Sequence, residues 1–178
     1  MSQLTISVNI KDHTQGKNDA PVTLVEYGDY ECPYCGQAYP IIKDLQKKVG
    51  IKLKLVFRNF PLSEVHPHAL HAACSAEAAA QQGKFWQMHD LLFENQNALE
   101  DQDLQVYARE LNLDIKQFIK DMRSQQVISK IKNDFMSGVK SGVNGTPTFF
   151  INEHRHDGSY ELDFLLEAVK SEMKKKKG

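Results

Sequence analysis

Cys32 and Cys35, separated by Pro33 and Tyr34, place two thiols three positions apart. Thiols at that spacing can close a small disulfide ring and reopen it when another thiol attacks, which makes a two-electron switch. The run Val-Thr-Leu-Val-Glu-Tyr at 22–27 reads as a strand, and an amphipathic pattern begins at the cysteines. Cys32 therefore falls at a helix N-terminus, where unpaired backbone N–H groups and the positive end of the helix dipole favour a thiolate. Cys35 lies one turn further in, so the two thiols are not equivalent. Cys32 is expected to be exposed, with a lowered pKa, and to exchange with partner thiols, while a shielded Cys35 resolves the mixed disulfide. Pro33 suits the first helical turn, where its missing N–H has little consequence.

Two further positions bear on that chemistry. Glu26 stands six residues before Cys32; Val22, Leu24 and Glu26 share one strand face, and Thr23, Val25 and Tyr27 the other. A carboxylate on a central strand loses hydration, which raises its pKa and leaves it poised to move a proton near neutral pH. The bland alternative is that Glu26 reaches water, or Lys52 or Lys54 at a strand end. Pro147 opens the β-branched and aromatic run Thr-Pro-Thr-Phe-Phe-Ile at 146–151 and cannot donate to a ladder, so an edge or a bend is expected there. A cis Thr146–Pro147 bond would turn the Thr146 backbone outward and offer its N–H and C=O to an added peptide strand, but residue type alone favours the trans isomer.

The elements that must position these residues follow from periodicity. Residues 4–8 alternate weakly and read as a short opening strand, followed by a polar stretch over 11–19. After strand 22–27 comes a helix over 32–49, bent by the internal Pro40 and stopped by Gly50. Residues 51–58 alternate apolar and charged side chains, the pattern of a strand with one buried face, so strand, helix and strand form a βαβ unit with parallel pairing. From 66 to 142 the period is helical. The expected apolar stripes are Ala69 to Ala80; Phe85, Met88 and Leu92; Leu104, Tyr107 and Leu111; Ile115, Phe118 and Met122; and Ile128, Ile131, Phe135 and Val139. A strand from Thr146, a turn-rich 152–158 with one short edge strand, and a terminal helix carrying Leu162, Leu165 and Val169 complete the chain.

The chain has 178 residues, of which 41% are hydrophobic and 25% charged, enough for one domain with a substantial core. A net charge of −1 gives no footing for nucleic acid, and the only charge run, Lys174 to Lys177, reads as a solvated tail. No stretch approaches the roughly 18 apolar residues of a membrane span. The first ten residues lack a basic and then an apolar signal region, so the cytosol is expected for the chain as written, and the periplasm for a trimmed mature chain. Three cysteines do not make a disulfide scaffold.

Together these features resemble the thioredoxin superfamily and, within it, the DsbA-like thiol:disulfide oxidoreductases. The resemblance is carried by the segment 22–35 ending in Cys-Pro-Tyr-Cys, by Phe-Arg-Asn-Phe-Pro-Leu at 57–62, by Gly-Lys-Phe-Trp-Gln-Met-His-Asp-Leu-Leu-Phe at 83–93, and by Gly-Thr-Pro-Thr-Phe at 145–149. It implies an α/β thioredoxin fold, with residues 1–65 and 143–178 forming a discontinuous domain and 66–142 an inserted helical cap between the βαβ half and the cis-proline strand. It also implies that Pro147 is cis and faces the cysteines, that Cys32 is the nucleophile and Cys35 the resolving thiol, and that Glu26 is a buried proton acceptor. Pro33, Tyr34, Thr146 and Pro147 would then touch substrate. Glutaredoxins also use Cys-Pro-Tyr-Cys, but the 112 positions from Cys35 to Pro147 far exceed what a minimal thioredoxin fold needs. Tyr34 replaces the histidine of the best-known DsbA pattern, removing a polar donor to the thiolate and implying a less oxidising couple; Thr146 is a type found in isomerases and reductases of the superfamily.

The expected partners are protein thiols or disulfides and a redox partner protein or glutathione; a monomer without cofactor or metal is expected. A cytosolic reductase working with glutathione or thioredoxin reductase, and a peptide-binding chaperone without turnover, are the alternatives. Cys74, in a helix of small residues, reads as a buried hydrophobe, and His66, His68 and His71 carry no second cysteine at ligand spacing. Phe85 and Trp86 read as packing residues.

Overall fold

A computed structural model describes residues 2–175. Its sheet has five strands, β1 (His13–Gln15), β2 (Val22–Gly28), β3 (Leu53–Asn59), β4 (Thr148–Ile151) and β5 (His154–His156), in the order β1-β3-β2-β4-β5. The helices are α1 (Pro33–Val49), α2 (Ala69–Ala80), α3 (Phe85–Glu94), α4 (Asp101–Glu110), α5 (Ile115–Met122), α6 (Gln125–Lys140) and α7 (Leu162–Lys175). The run Lys174 to Lys177 passes partly outside the described residues.

β2 and β3 pair in parallel, with Glu26 opposite Phe57, and α1 connects them as expected for a βαβ unit. β4 joins the other side of β2 antiparallel, setting Phe149 opposite Glu26. Helix α1 starts where Pro33 supplies a preset φ, runs on through Pro40, and ends at Gly50, whose φ of 61° suits a residue without Cβ. One sheet face carries Val22, Leu24, Leu55 and Ile151 against Ala38, Ile42 and Leu45 of α1 and Leu165 and Val169 of α7. The other carries Val25, Tyr27, Val56 and Phe150 against Phe60, Val143 and, from α6, Phe135. Helices α2–α6 form a third core that reaches Phe57, Tyr30 and both cysteines of the pair.

Three expectations need correction. Residues 4–8 form no strand: Leu4 is buried and its N–H donates to the carbonyl of Glu153, but the ladder there is a single bridge from Gln3 to His154. The opening strand is β1, inside the stretch read as polar, where three half-buried residues pair antiparallel with β3. β3 is covered on both faces from Leu55 onward, because Lys54 is its last half-buried residue and Arg58 turns inward. There Arg58 donates from Nε and Nη2 to the two carboxylate oxygens of Asp12 at 2.8 and 2.9 Å, and from Nη1 to the Tyr27 hydroxyl at 2.9 Å. On α6 the buried positions are Val127, Ile131, Asp134, Ser137 and Gly138, leaving Ile128 and Val139 exposed.

Candidate active site

Cys32 is the N-cap of α1, in extended conformation with no side chain bonded to the helix end. Its carbonyl accepts from Gly36 N–H, and its own N–H donates to the Asp29 carbonyl at 3.2 Å. The first helical residue is Pro33, and Tyr34, 61% exposed, projects to solvent. Cys35 is fully buried, with the Asp29 N–H directed at its sulfur at 3.5 Å. The Thr146–Pro147 peptide is cis, and the Cys32 thiol donates to the Thr146 carbonyl at 3.3 Å. Pro147 stands just ahead of the ladder, which starts at Thr148; β4 itself is flanked on both sides, so the bend and not an edge accommodates the proline. Cys32, expected to stand exposed, is only 4% exposed, because the 146 carbonyl and the helical core close over it. It is nonetheless far less deeply set than Cys35.

The hydrogen bond with the Cys35 thiol, against the opposing effect of burial, brings the Cys32 pKa down to about 5; the backbone N–H groups of Cys35 and Tyr34 add to it. The Thr146 hydroxyl is buried without a properly aligned partner, so it acts on the thiolate as a nearby dipole and not as a formed bond. Burial pushes the Cys35 thiol well above its ordinary value, and the hydrogen bond to Cys32 adds to the rise. Glu26 is 3% exposed, bracketed in register by Phe57 and Phe149, and its Oε1 has no partner. Lys52 and Lys54 do not reach it. Burial, with a smaller contribution from Cys32, raises its pKa to about 8. The arrangement thus holds a thiol prone to ionise beside one that is not, with a carboxyl below them that keeps its proton at neutral pH.

Residues 26, 32–35, 146 and 147 meet at one end of the sheet. Sequence reasoning missed Gln96, whose Nε2 donates to the carbonyls of Tyr30 and Cys32 at 2.9 and 2.8 Å from the loop after α3; an Asn-Gln-Asn turn carries no signal for that. It also missed Tyr160, which packs on Phe149 and whose ionisation is held up by burial and then by Cys35. Cys74 is buried, as expected of a small hydrophobe. Trp86 packs as expected and its Nε1 donates to the carbonyl of Thr14, while Phe85 stacks on His13. Among the described residues no three metal-ligating side chains gather, and no helix is long and apolar enough to cross a membrane.

A parallel β2–α1–β3 unit, a Cys-x-x-Cys at the helix start and a cis-proline facing it define a thioredoxin-class domain. The family model described as thioredoxin matches residues 8–171, and the chain belongs to that family. Within it, the chain falls among the DsbA-like thiol-disulfide oxidoreductases. A thioredoxin-like oxidoreductase from Silicibacter pomeroyi superposes with a TM-score of 0.84 at 31% identity, over 93% of this chain and 94% of that one. Oxidised BdbD from Bacillus subtilis gives 0.83 at 25% identity, over 97% of each chain. The thiol-disulfide exchange protein alpha-DsbA2 from Wolbachia pipientis gives 0.81 at 23%, over 92% of this chain and 88% of that one, which speaks to the fold alone. A Na(+)/H(+) antiporter NhaA 1 from Salinispora arenicola is 47% identical over 161 residues, a match that takes in 90% of this chain and 24% of that protein. The chain spans about a quarter of the length of the curated relatives it matches.

Proposed function

We propose that the chain exchanges disulfides with protein substrates through Cys32 and Cys35. Cys32 is the nucleophile, Cys35 resolves the mixed disulfide and Glu26 takes and returns the proton of Cys35. Pro33, Tyr34, Thr146 and Pro147 border the substrate, and residues 66–142 act as a cap on the 1–65 and 143–178 domain. The observation that carries this reading is the asymmetry of the pair: Cys32 ionises near pH 5 at a helix N-cap while Cys35, one turn in, keeps its proton above Glu26. In the reducing direction Cys32 sulfur attacks a substrate disulfide and expels one substrate thiolate. Cys35 then loses its proton to Glu26 in its ionised form, the minority form at neutral pH, and attacks Cys32 sulfur, expelling the second; oxidation of a substrate is the reverse. A redox partner protein or glutathione resets the pair, and the unit acts as a monomer.

Cys35→Ser should accumulate a covalent adduct with a substrate protein that reductant releases, and Cys32→Ser should not; adducts on Cys32→Ser alone would reverse the roles. Equilibration of the pair in glutathione buffers gives the direction, a potential well below about −220 mV marking a reductase. The match to the NhaA antiporters favours a more specific substrate, the cysteines of a sodium/proton antiporter. Cys35→Ser chain mixed with membranes carrying such an antiporter should then form a one-to-one disulfide adduct, and its absence would leave only the general reading.

A further inference from the structure

We propose that His66 is a positioning residue for the resolving step, holding Asp29 so that its backbone N–H stays aimed at Cys35 sulfur. The inference rests on the roles proposed for Cys32 and Cys35. The loop from β2 to α1 carries two carboxylates, and donors from the loop after β3 hold both. Asp29 Oδ2 accepts from His66 Nδ1 and from Leu62 N–H, each at 2.8 Å, while Glu31 accepts from His68 N–H at 2.6 Å. Asp29 Oδ1 accepts from Glu31 N–H, closing a turn within the first loop. The Asp29 side chain is fully buried, so every bond to it counts, whereas His66 keeps 20% of its side chain in contact with solvent.

The same residue that is clamped by its carboxylate presents its N–H to Cys35 sulfur at 3.5 Å and its carbonyl to Cys32 N–H at 3.2 Å. Resolution needs a thiolate on Cys35, the group whose burial most opposes ionisation. The Asp29 N–H is a donor that relieves that opposition at the sulfur itself. Neither Leu62 nor Glu31 can supply this anchorage by side chain, because both contribute only backbone N–H; His66 is the side chain that ties the loop.

An aromatic disulfide such as 5,5′-dithiobis(2-nitrobenzoate) separates the steps. Cys32 thiolate attacks it, forming Cys32–S–S–aryl and releasing one aryl thiolate. Cys35 then gives its proton to the ionised form of Glu26 and attacks Cys32 sulfur, forming the Cys32–Cys35 disulfide and releasing the second aryl thiolate. Two protein thiols are oxidised and one aryl disulfide is reduced. In stopped flow, His66→Ala should slow the second phase about three- to tenfold, the loss of one hydrogen bond's worth of organisation. The first phase and its pH midpoint near 5 should be unchanged. His66→Asn, whose amide can donate from about the same place as Nδ1, should restore the second phase. An unchanged second phase in His66→Ala, a fall of both phases together, or failure of His66→Asn to rescue would overturn the proposal. A wild-type chain that released only one thiolate would overturn the roles of the two cysteines themselves.

Discussion

The proton shared out between Cys32 and Glu26 makes the reduced chain's stability unusual in its pH dependence. The Cys32 pKa falls from 9.0 to about 5 on folding, so its stabilisation is present above pH 9 and is lost as pH falls through 5. That of Glu26 rises from 4.5 to about 8, so its stabilisation is present below pH 4.5 and is lost as pH rises through 8. Between pH 5 and 8 the folded state keeps one proton on Glu26 and the unfolded state one on Cys32. The bound-proton counts match, and this pair adds no slope. Glu26→Gln removes one side of the balance. Stability of the reduced variant should climb from pH 5.5 to 7.5 relative to wild type, by at most about 1.4 kcal/mol per pH unit. Urea unfolding under reductant checks this, and parallel curves for the two chains would contradict it. Of these groups, the cysteine pair and Glu26 were legible in the sequence because their types and spacing carry the chemistry. Gln96, Asp29 and His66 were not, because they act through bonds to carbonyls, carboxylates and N–H groups brought from distant loops.

At the scale of elements, α6 lies so close to the sheet that Gly138 faces the Phe60 ring at 2.8 Å and Tyr27 at 3.0 Å from where a Cβ would stand. Gly138→Val should lower the unfolding free energy by about 1–3 kcal/mol through overpacking, measured by denaturant titration; a neutral effect would mean the helix can slide outward. This closeness also explains the misplaced apolar stripe. The buried edge of α6 includes Asp134, which accepts from the backbone and side chain of Asn59, and Ser137, hydrogen-bonded to Tyr27 hydroxyl. A stripe built partly from polar and glycine positions does not show in hydrophobic periodicity. Helix α2 was legible to the residue, because its run of alanines is helical in type even though Ser75 and Glu77 are buried among them. The misread residues 4–8 pack by Leu4 and, half-buried, Val8, and β1 hides because three half-buried edge residues need no apolar alternation.

Across the whole molecule, Glu77 of α2 joins the helical block to two strands. It accepts from His13 Nε2 of β1 at 2.8 Å and from Asn59 Nδ2 of β3 at 2.7 Å, while Asn59 also donates to Asp134 of α6. Although burial opposes it, the bond from His13 and the charges around hold the Glu77 carboxyl below its ordinary value. Glu77→Ala would leave buried donors on both strands unpaired, at a loss of about 3–5 kcal/mol. Because sheet and block share this junction and Phe57, the variant should still unfold in one transition, with near- and far-ultraviolet dichroism sharing a lowered midpoint. Separate midpoints would show that the block melts on its own. The sequence placed the block between the right strands, but a junction of histidine, glutamate and asparagine from three distant segments leaves no local trace.

Gln96 holds the loop before α1 through the main-chain carbonyls of Tyr30 and Cys32. The restriction falls on Gly36, where any Cβ would run into the Gln96 amide. Position 34, whose side chain faces solvent, is therefore free to change its chemistry beside the thiols while the frame that aligns them stays fixed.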